Sequence, residues 1–314
     1  PWGQMSYWGA QVIINLFGTV PVIGPELTEW IRGDYLISGI TLNRFMSLHV
    51  VALPIILIAL IVMHIIALHD VGSNNPDGVS IKEHKDKDGN PIDGLPFYPY
   101  FVIHDLVPIV VFLFAFCAVL FFMPEMGGFF LEYANFEIAN SLKTPEHIAP
   151  VWYFTPYYSM LRAVPDKLGG FITMGAAIAI LFVLPWLDRS PVRSMRYKGN
   201  FSRGAILVFA ASFILLGYLG VKAPTEARTL LAQICTVLYF SYFIGIYFWT
   251  RYETTKPEPD RITMNGGMGF WKSMGALLVV LILVVLPIKA VGAESGKSCG
   301  AIDCDPFTAE LTDY

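Results

Sequence analysis

Two histidines, His49 and His64, close the two ends of the run HVVALPIILIALIVMH, and no residue between them is charged or hydrogen-bonding at its side chain. Imidazole is a natural axial ligand of haem iron, and a neutral ring can serve in a low-dielectric interior without carrying a charge there. Fifteen positions on a straight α-helix set the two rings about 60° apart around the axis and about 22 Å apart along it. One metal cannot touch both, so each histidine is expected to serve its own site, one near each face of a membrane. Pro54 between them removes a backbone hydrogen bond and can bend the helix away from that ideal angle. The competing reading is a pair of core histidines satisfied by backbone carbonyls or hydroxyls. Polar groups at membrane depth are costly and are more often functional than decorative. A haem with two imidazole ligands needs a second histidine on a facing helix. His69, His84, His104 and His147 all lie at span ends or in loops, so the partners are expected from a helix upstream or from another subunit.

The elements that must hold these rings are membrane-spanning. Of 314 residues, 55% are apolar and only 15% charged, outside the balance of an ordinary soluble domain. Six stretches, 45–68, 106–123, 168–187, 204–221, 229–250 and 273–288, are apolar enough to cross a hydrocarbon core that needs roughly 20 residues. The fold class expected is all-α integral membrane: about six transmembrane helices plus amphipathic surface helices. Residues 1–43 carry apolar positions Trp8, Val12, Ile13 and Leu16 at helical spacing but are broken by Pro21, Gly24 and Pro25, so they read as helices lying in the interface.

Charge sets the expected topology. The connection 188–203 holds five Lys/Arg against one acid, and short basic loops stay cytoplasmic. Parity then places 70–104 and 251–272 on the same side, with twelve Lys/Arg there against nine on the other. A net charge of −4 offers no basic surface for nucleic acid. Cys117 and Cys235 lie within spans and read as small apolar residues. Cys299 and Cys304, in the tail SCGAIDC on the outer side, would be free to form a disulfide in an oxidising compartment. The tail lacks C-x-x-C-H, which argues against covalent haem. The long segment 124–167 is rich in aromatics and proline and low in charge, the composition of a functional loop.

Several motifs in order resemble cytochrome b, the membrane subunit of the cytochrome bc1 complex, in its proteobacterial form. They are PWGQMSYWGA (1–10), the His49/His64 helix followed by ALHDVGSNNPDG (67–78), FYPYFVIHD (97–105), TPEHIAPVWYF (144–154), LRAVPDKLGG (161–170) and RSMRYKG (193–199). The resemblance covers residues 1–255 and implies a chain lacking that family's first three helices. It divides the sequence into 1–105, the end of a haem-binding N-terminal domain; 106–255, a C-terminal domain with a quinol-site loop; and 256–314, a linker, an extra span and the cysteine tail. What it implies further is two b haems stacked across a bacterial inner membrane, with His49 on the low-potential haem near the outer face and His64 on the high-potential haem near the inner face. Their second ligands would come from the upstream helix. The spacing of fifteen departs from the fourteen of mitochondrial relatives.

The resemblance also implies two sites for ubiquinone. At the inner one, His69 and Asp105, with Ser73 and Asn74 nearby, would hydrogen-bond the quinone and relay protons; without the family, His69 and Asp105 read equally well as a snorkelling helix-end histidine and a helix cap. At the outer one, Met5, Gly9 and Val12 on the first surface helix and Pro150, Trp152, Tyr153 and Tyr158 on the aromatic loop match the family's lining. Where most relatives have P-E-W-Y, this chain has Pro150-Val151-Trp152-Tyr153, and valine cannot accept a proton. Glu146, His147 or Tyr153 is expected to substitute, with Glu146 favoured as a carboxylate in the same loop. The activity implied is bifurcated quinol oxidation coupled to proton translocation, with a Rieske iron-sulfur subunit, cytochrome c1 and a second copy of the complex as partners. Two other classes fit parts of the sequence: a transporter or proton channel using intramembrane histidines, and a b6f-type plastoquinol enzyme. The latter family splits its chain after the His-bearing helix, whereas this one runs on.

Overall fold

The computed structural model describes residues 3–124, 135–140, 142, 148–263, 275 and 279. Among them the regular structure is helical, and the chain divides into two compact units: Pro1–Ile148 with Val192–Lys198 and Thr255–Met264, and Ala149–Pro191 with Gly199–Thr254 and Asn265–Tyr314.

In the first unit, α1 (Gly3–Phe17) and α2 (Gly24–Arg32) are 15 and 9 residues long, too short to span, as the broken apolar pattern predicts. Pro25 in the first turn of α2 presets the helical φ at a position whose N–H has no helical acceptor. α3 (Gly39–Ser47) starts where the Ser38 N–H donates to the Thr41 hydroxyl at 3.2 Å and then runs through a π-helical turn, Leu48–Ala52, into α4 (Leu53–Val71). The whole forms one 33-residue rod, Gly39–Val71. It begins six residues before the expected 45, because Asn43 and Arg44 lower the local hydropathy without breaking the helix. α5 (Val102–Phe122) follows a charged loop and an irregular turn at Phe97–Phe101 in which Tyr98 is extended.

The second unit packs α6 (Thr155–Ala163), α7 (Lys167–Leu187), α8 (Asn200–Val221) and α9 (Glu226–Tyr252). Asp166 caps α7 by accepting the Gly169 N–H at 2.6 Å, and Thr225 caps α9 by accepting that of Arg228 at 3.3 Å. The core is Met160, Ala163, Ala177, Leu216, Leu219, Ala232, Cys235, Tyr239 and Phe243. Tyr239 brings a hydroxyl into it and satisfies that group on the Ala177 carbonyl at 2.9 Å. α6 approaches α8 backbone to backbone: a Cβ on Gly220 would lie 2.1 Å from the Thr155 carbonyl oxygen, so glycine is the residue that fits.

Among the described residues, five helices are long and apolar enough to cross a membrane: the two rods of the first unit and α7, α8 and α9. The expected span 273–288 lies outside the described residues, apart from Gly275 and Val279, both helical. So does the Cys299/Cys304 tail.

Candidate functional site

His49 sits inside the π-helical turn, and His64 on α4. A π-helical turn holds one residue more than the α-turn it replaces. The straight-helix geometry is therefore corrected: the fifteen positions between the rings behave as about fourteen, so the azimuth becomes about −40° and the axial separation about 21 Å. The rings still share one broad face. Both residues are exposed on this chain, and α4 buries none of its side chains. Neither imidazole has a hydrogen-bond partner among the described residues. An unpartnered imidazole on a membrane-grade helix is unfavourable, and both are exposed, which fits a haem iron reached from outside the helix. No group of three His, Cys, Asp or Glu gathers for a metal among the described residues, so each imidazole stands as a single donor.

At the end of α4, His69 and Asp70 turn their backbone carbonyls to Lys82, whose ammonium donates to them at 2.5 and 2.8 Å. This cation neutralises carbonyls that the helix end leaves unpaired, and sequence reading missed it because thirteen residues separate the partners. Asp105 lies in the first turn of α5 and is exposed. Among the described residues no hydrogen bond or ion pair joins it to His69. Ser73 and Asn74 are exposed, and the Asn74 side chain accepts the Asn75 N–H at 2.9 Å.

Three residues on, Asp77 is fully buried and holds the loop in place. Its carboxylate accepts from the Thr263 N–H and hydroxyl at 2.8 and 3.1 Å, the Tyr197 hydroxyl at 2.8 Å and the Arg196 guanidinium at 2.9 Å. The Thr263 N–H, with the Tyr197 and Arg196 donors behind it, holds the carboxyl down to about 2, against a desolvation that alone would raise it. The same contact pushes the Tyr197 phenol up. A second stitch, Asp93 with Nη2 and Nε of Arg261 at 2.6 and 3.2 Å, and a third, Glu258 on the Arg193 N–H at 2.6 Å, join the same three segments. None of these pairs was legible in the sequence.

The two parts of the candidate outer site fall in different units. On α1, Met5, Gly9 and Val12 stand at i, i+4 and i+7 and are half-buried. A Cβ on Gly9 would meet nothing within 4 Å, so space lies open above it. In the second unit, Pro150 is half-buried and Trp152 and Tyr153 are exposed, their rings edge-to-face at 5.6 Å. The Trp152 carbonyl is fixed by the Thr155 hydroxyl at 2.6 Å. Val151 is exposed and apolar. Tyr158, on α6, lies under the Arg162 guanidinium at 4.5 Å. Glu146 and His147 lie outside the described residues.

Against known proteins, residues 1–156 match the family model described as cytochrome b(N-terminal)/b6/petB, and residues 138–240 the model described as cytochrome b(C-terminal)/b6/petD. Cytochrome b of Allochromatium vinosum is 56% identical over 271 residues, covering 84% of this chain and 65% of that protein. Cytochrome b of Rhodospirillum rubrum is 45% identical over 266 residues, covering 84% and 62%. A chain of a solved structure titled hyperthermophilic respiratory Complex III superposes with a TM-score of 0.71 at 33% identity, covering 81% of this chain and 65% of that one. The chain thus spans somewhat under two thirds of the length of these relatives.

Proposed function

The chain belongs to the cytochrome b family, and from that premise we propose that it is the haem- and quinone-binding subunit of a ubiquinol:cytochrome c oxidoreductase in a bacterial inner membrane. The observation that carries the proposal is the pair of unpartnered imidazoles, about 21 Å apart on one exposed apolar rod. His49 and His64 would each hold a b haem through one ring nitrogen. When bound, the haems and the quinone supply the one-electron chemistry; the protein supplies position, dielectric and proton routes.

The proposed reaction oxidises quinol at the outer site, releases its protons there, and divides its two electrons between a Rieske iron-sulfur subunit and the path past His49 and His64 to the inner site. Cytochrome c1 and a second copy of the complex complete the assembly. At the outer site the Tyr153 hydroxyl is exposed and able to hydrogen-bond quinol, and with Val151 unable to take a proton, Glu146 is the proposed acceptor. At the inner site His69 and Asp105 would carry protons to the quinone, beside a backbone whose carbonyls Lys82 holds. In this division of labour, 1–105 serves haem and inner quinone and lends α1 to the outer site, 106–255 supplies the loop for quinol oxidation, and 256–263 ties down the inner loop through Thr263 and Arg261.

An optical redox spectrum of the purified complex tests the reading. His49→Leu is expected to remove one of two b-type absorbance bands and His64→Leu the other, each abolishing electron flow to the inner quinone. If either variant kept both bands with unchanged potentials, the ligand assignment would fail and the quinone roles with it.

A further inference from the structure

We propose that Lys82 is a positioning residue for the inner quinone site, locking the last turn of α4 and with it the His69 imidazole, a role that rests on His69 being a partner of that quinone. α4 closes at Val71, and the Gly72 N–H donates to the Leu68 carbonyl at 2.7 Å. The next two carbonyls, those of His69 and Asp70, have no further turn of helix to supply a donor. Both take the Lys82 ammonium instead, at 2.5 and 2.8 Å.

Lys82 reaches these carbonyls across Gly72. That glycine has a φ of +88°, and a Cβ on it would lie 3.3 Å from the lysine Cε. It turns the chain out of the helix and leaves the lysine stem its path. Among the described residues no carboxylate pairs with Lys82, so its charge is spent on the helix end. There it meets the negative pole of the helix dipole and the orphan carbonyls together.

Helix ends fray, and a last turn whose carbonyls are left to water opens more often than the turns before it. His69 belongs to that turn. Downstream, the loop is pinned again where Asp77 takes Arg196, Tyr197 and Thr263. Ser73 and Asn74 therefore lie between two fixed points, one of which Lys82 makes. A quinone that binds only the closed turn has its affinity reduced by the fraction of chains in which the turn is closed. Removing Lys82 therefore raises the quinone concentration required. The rate at saturation survives, because bound quinone holds the turn closed. A group that itself moved protons or electrons would lower the saturated rate instead.

The test uses the purified complex in detergent and four variants. Lys82→Met keeps the stem and removes the charge, Lys82→Arg keeps charge and donors, and Lys87→Met takes the same charge from an exposed position in the same loop. His69→Leu is the reference for the site itself. Hydrogen exchange at the amides of residues 69–72, followed by peptide mass spectrometry, is expected to be about tenfold faster in Lys82→Met, the loss of one charged donor. Lys82→Arg and Lys87→Met should exchange like the parent. Haem reoxidation is then followed optically after one pulse of quinol, at a series of ubiquinone concentrations. Lys82→Met should need about tenfold more quinone for half the maximal rate and keep that maximum within about twofold, with Lys82→Arg restoring the parent value; His69→Leu should lower the maximum. Unchanged exchange in Lys82→Met overturns the proposal. So does faster exchange with an unaltered quinone dependence while His69→Leu is impaired, or an equal effect in Lys87→Met. If His69→Leu keeps the quinone dependence of the parent, the reading of the inner site has failed, and the positioning role falls with it.

Discussion

The two units solve the membrane problem in opposite ways. In α7, α8 and α9 the most apolar stretch is 11, 22 and 33% buried within the chain, against 0% for both rods of the first unit. Because lipid is as apolar as leucine, burial in a bilayer depends on packing shape rather than on escape from water. The second unit has that shape: an aromatic stack of Phe209, Phe213, Tyr239 and Phe243 and a glycine contact under α6. Among the described residues of the first unit's rods, the stacked rings, Phe97 with Phe101 and Phe112 with Phe116, pair within one rod and bury neither, and it is on the other rod that both imidazoles stand. A helix that keeps its own face bare can present ligands to something it does not itself contain. What holds the first unit together lies outside the apolar region, in the ionic stitches around Asp77.

If that contrast is right, the largest effect of a single methyl belongs to the second unit. Gly220→Ala would drive a Cβ to 2.1 Å from the Thr155 carbonyl oxygen, and the overpacking is expected to destabilise by about 3 kcal/mol, seen as a lower thermal unfolding midpoint of the complex in detergent. Gly9→Ala, where the added carbon meets nothing, should leave that midpoint unchanged while reducing quinol oxidation if ligand approaches there. Equal destabilisation by both would erase the distinction between packed and open surfaces.

Next in size is Asp77→Asn. The folded carboxyl sits at about 2, below its ordinary 3.8, so its contribution is fully present above about pH 4 and declines as pH falls toward 2. The midpoint difference between parent and Asp77→Asn should therefore be constant from pH 8 to about 5, then shrink on acidification. A difference that grew at low pH would mean that the carboxylate is not the anchoring species.

The five described spans were legible because apolar runs of that length have few other uses, and the short surface helices because prolines interrupt them. The π-helical turn was not legible. Its trace in sequence is the extra residue between His49 and His64, which alone reads as a rotated ligand rather than as a bulge that takes the rotation back. Asp77 escaped for a different reason: its partners are 119, 120 and 186 positions away, and periodicity carries no information about such pairs. Lys82 and the anchoring of Arg162 on the end of α8 are likewise contacts between a side chain and distant backbone, for which residue type sets a capacity but no address. The family motifs contained both Tyr158's loop and Arg162, but not the stacking of one on the other.

The smallest effect expected is that of the outer stitch, and it sharpens the comparison within the first unit. Arg261 is about half exposed while Asp93 is largely covered, and the pair is bidentate. Arg261 holds the Asp93 carboxyl below the usual range, but an accessible guanidinium is screened by water and salt. Arg261→Ala should therefore lower the midpoint by an amount near the limit of detection, and raising ionic strength to about 1 M should remove even that. Asp77→Asn, by contrast, should keep most of its effect in the same salt, because its carboxylate is out of reach of solvent ions. Were the two variants to respond alike to salt, the inner and outer stitches would be equivalent, and burial at Asp77 would have no part in fixing the loop that carries Ser73 and Asn74.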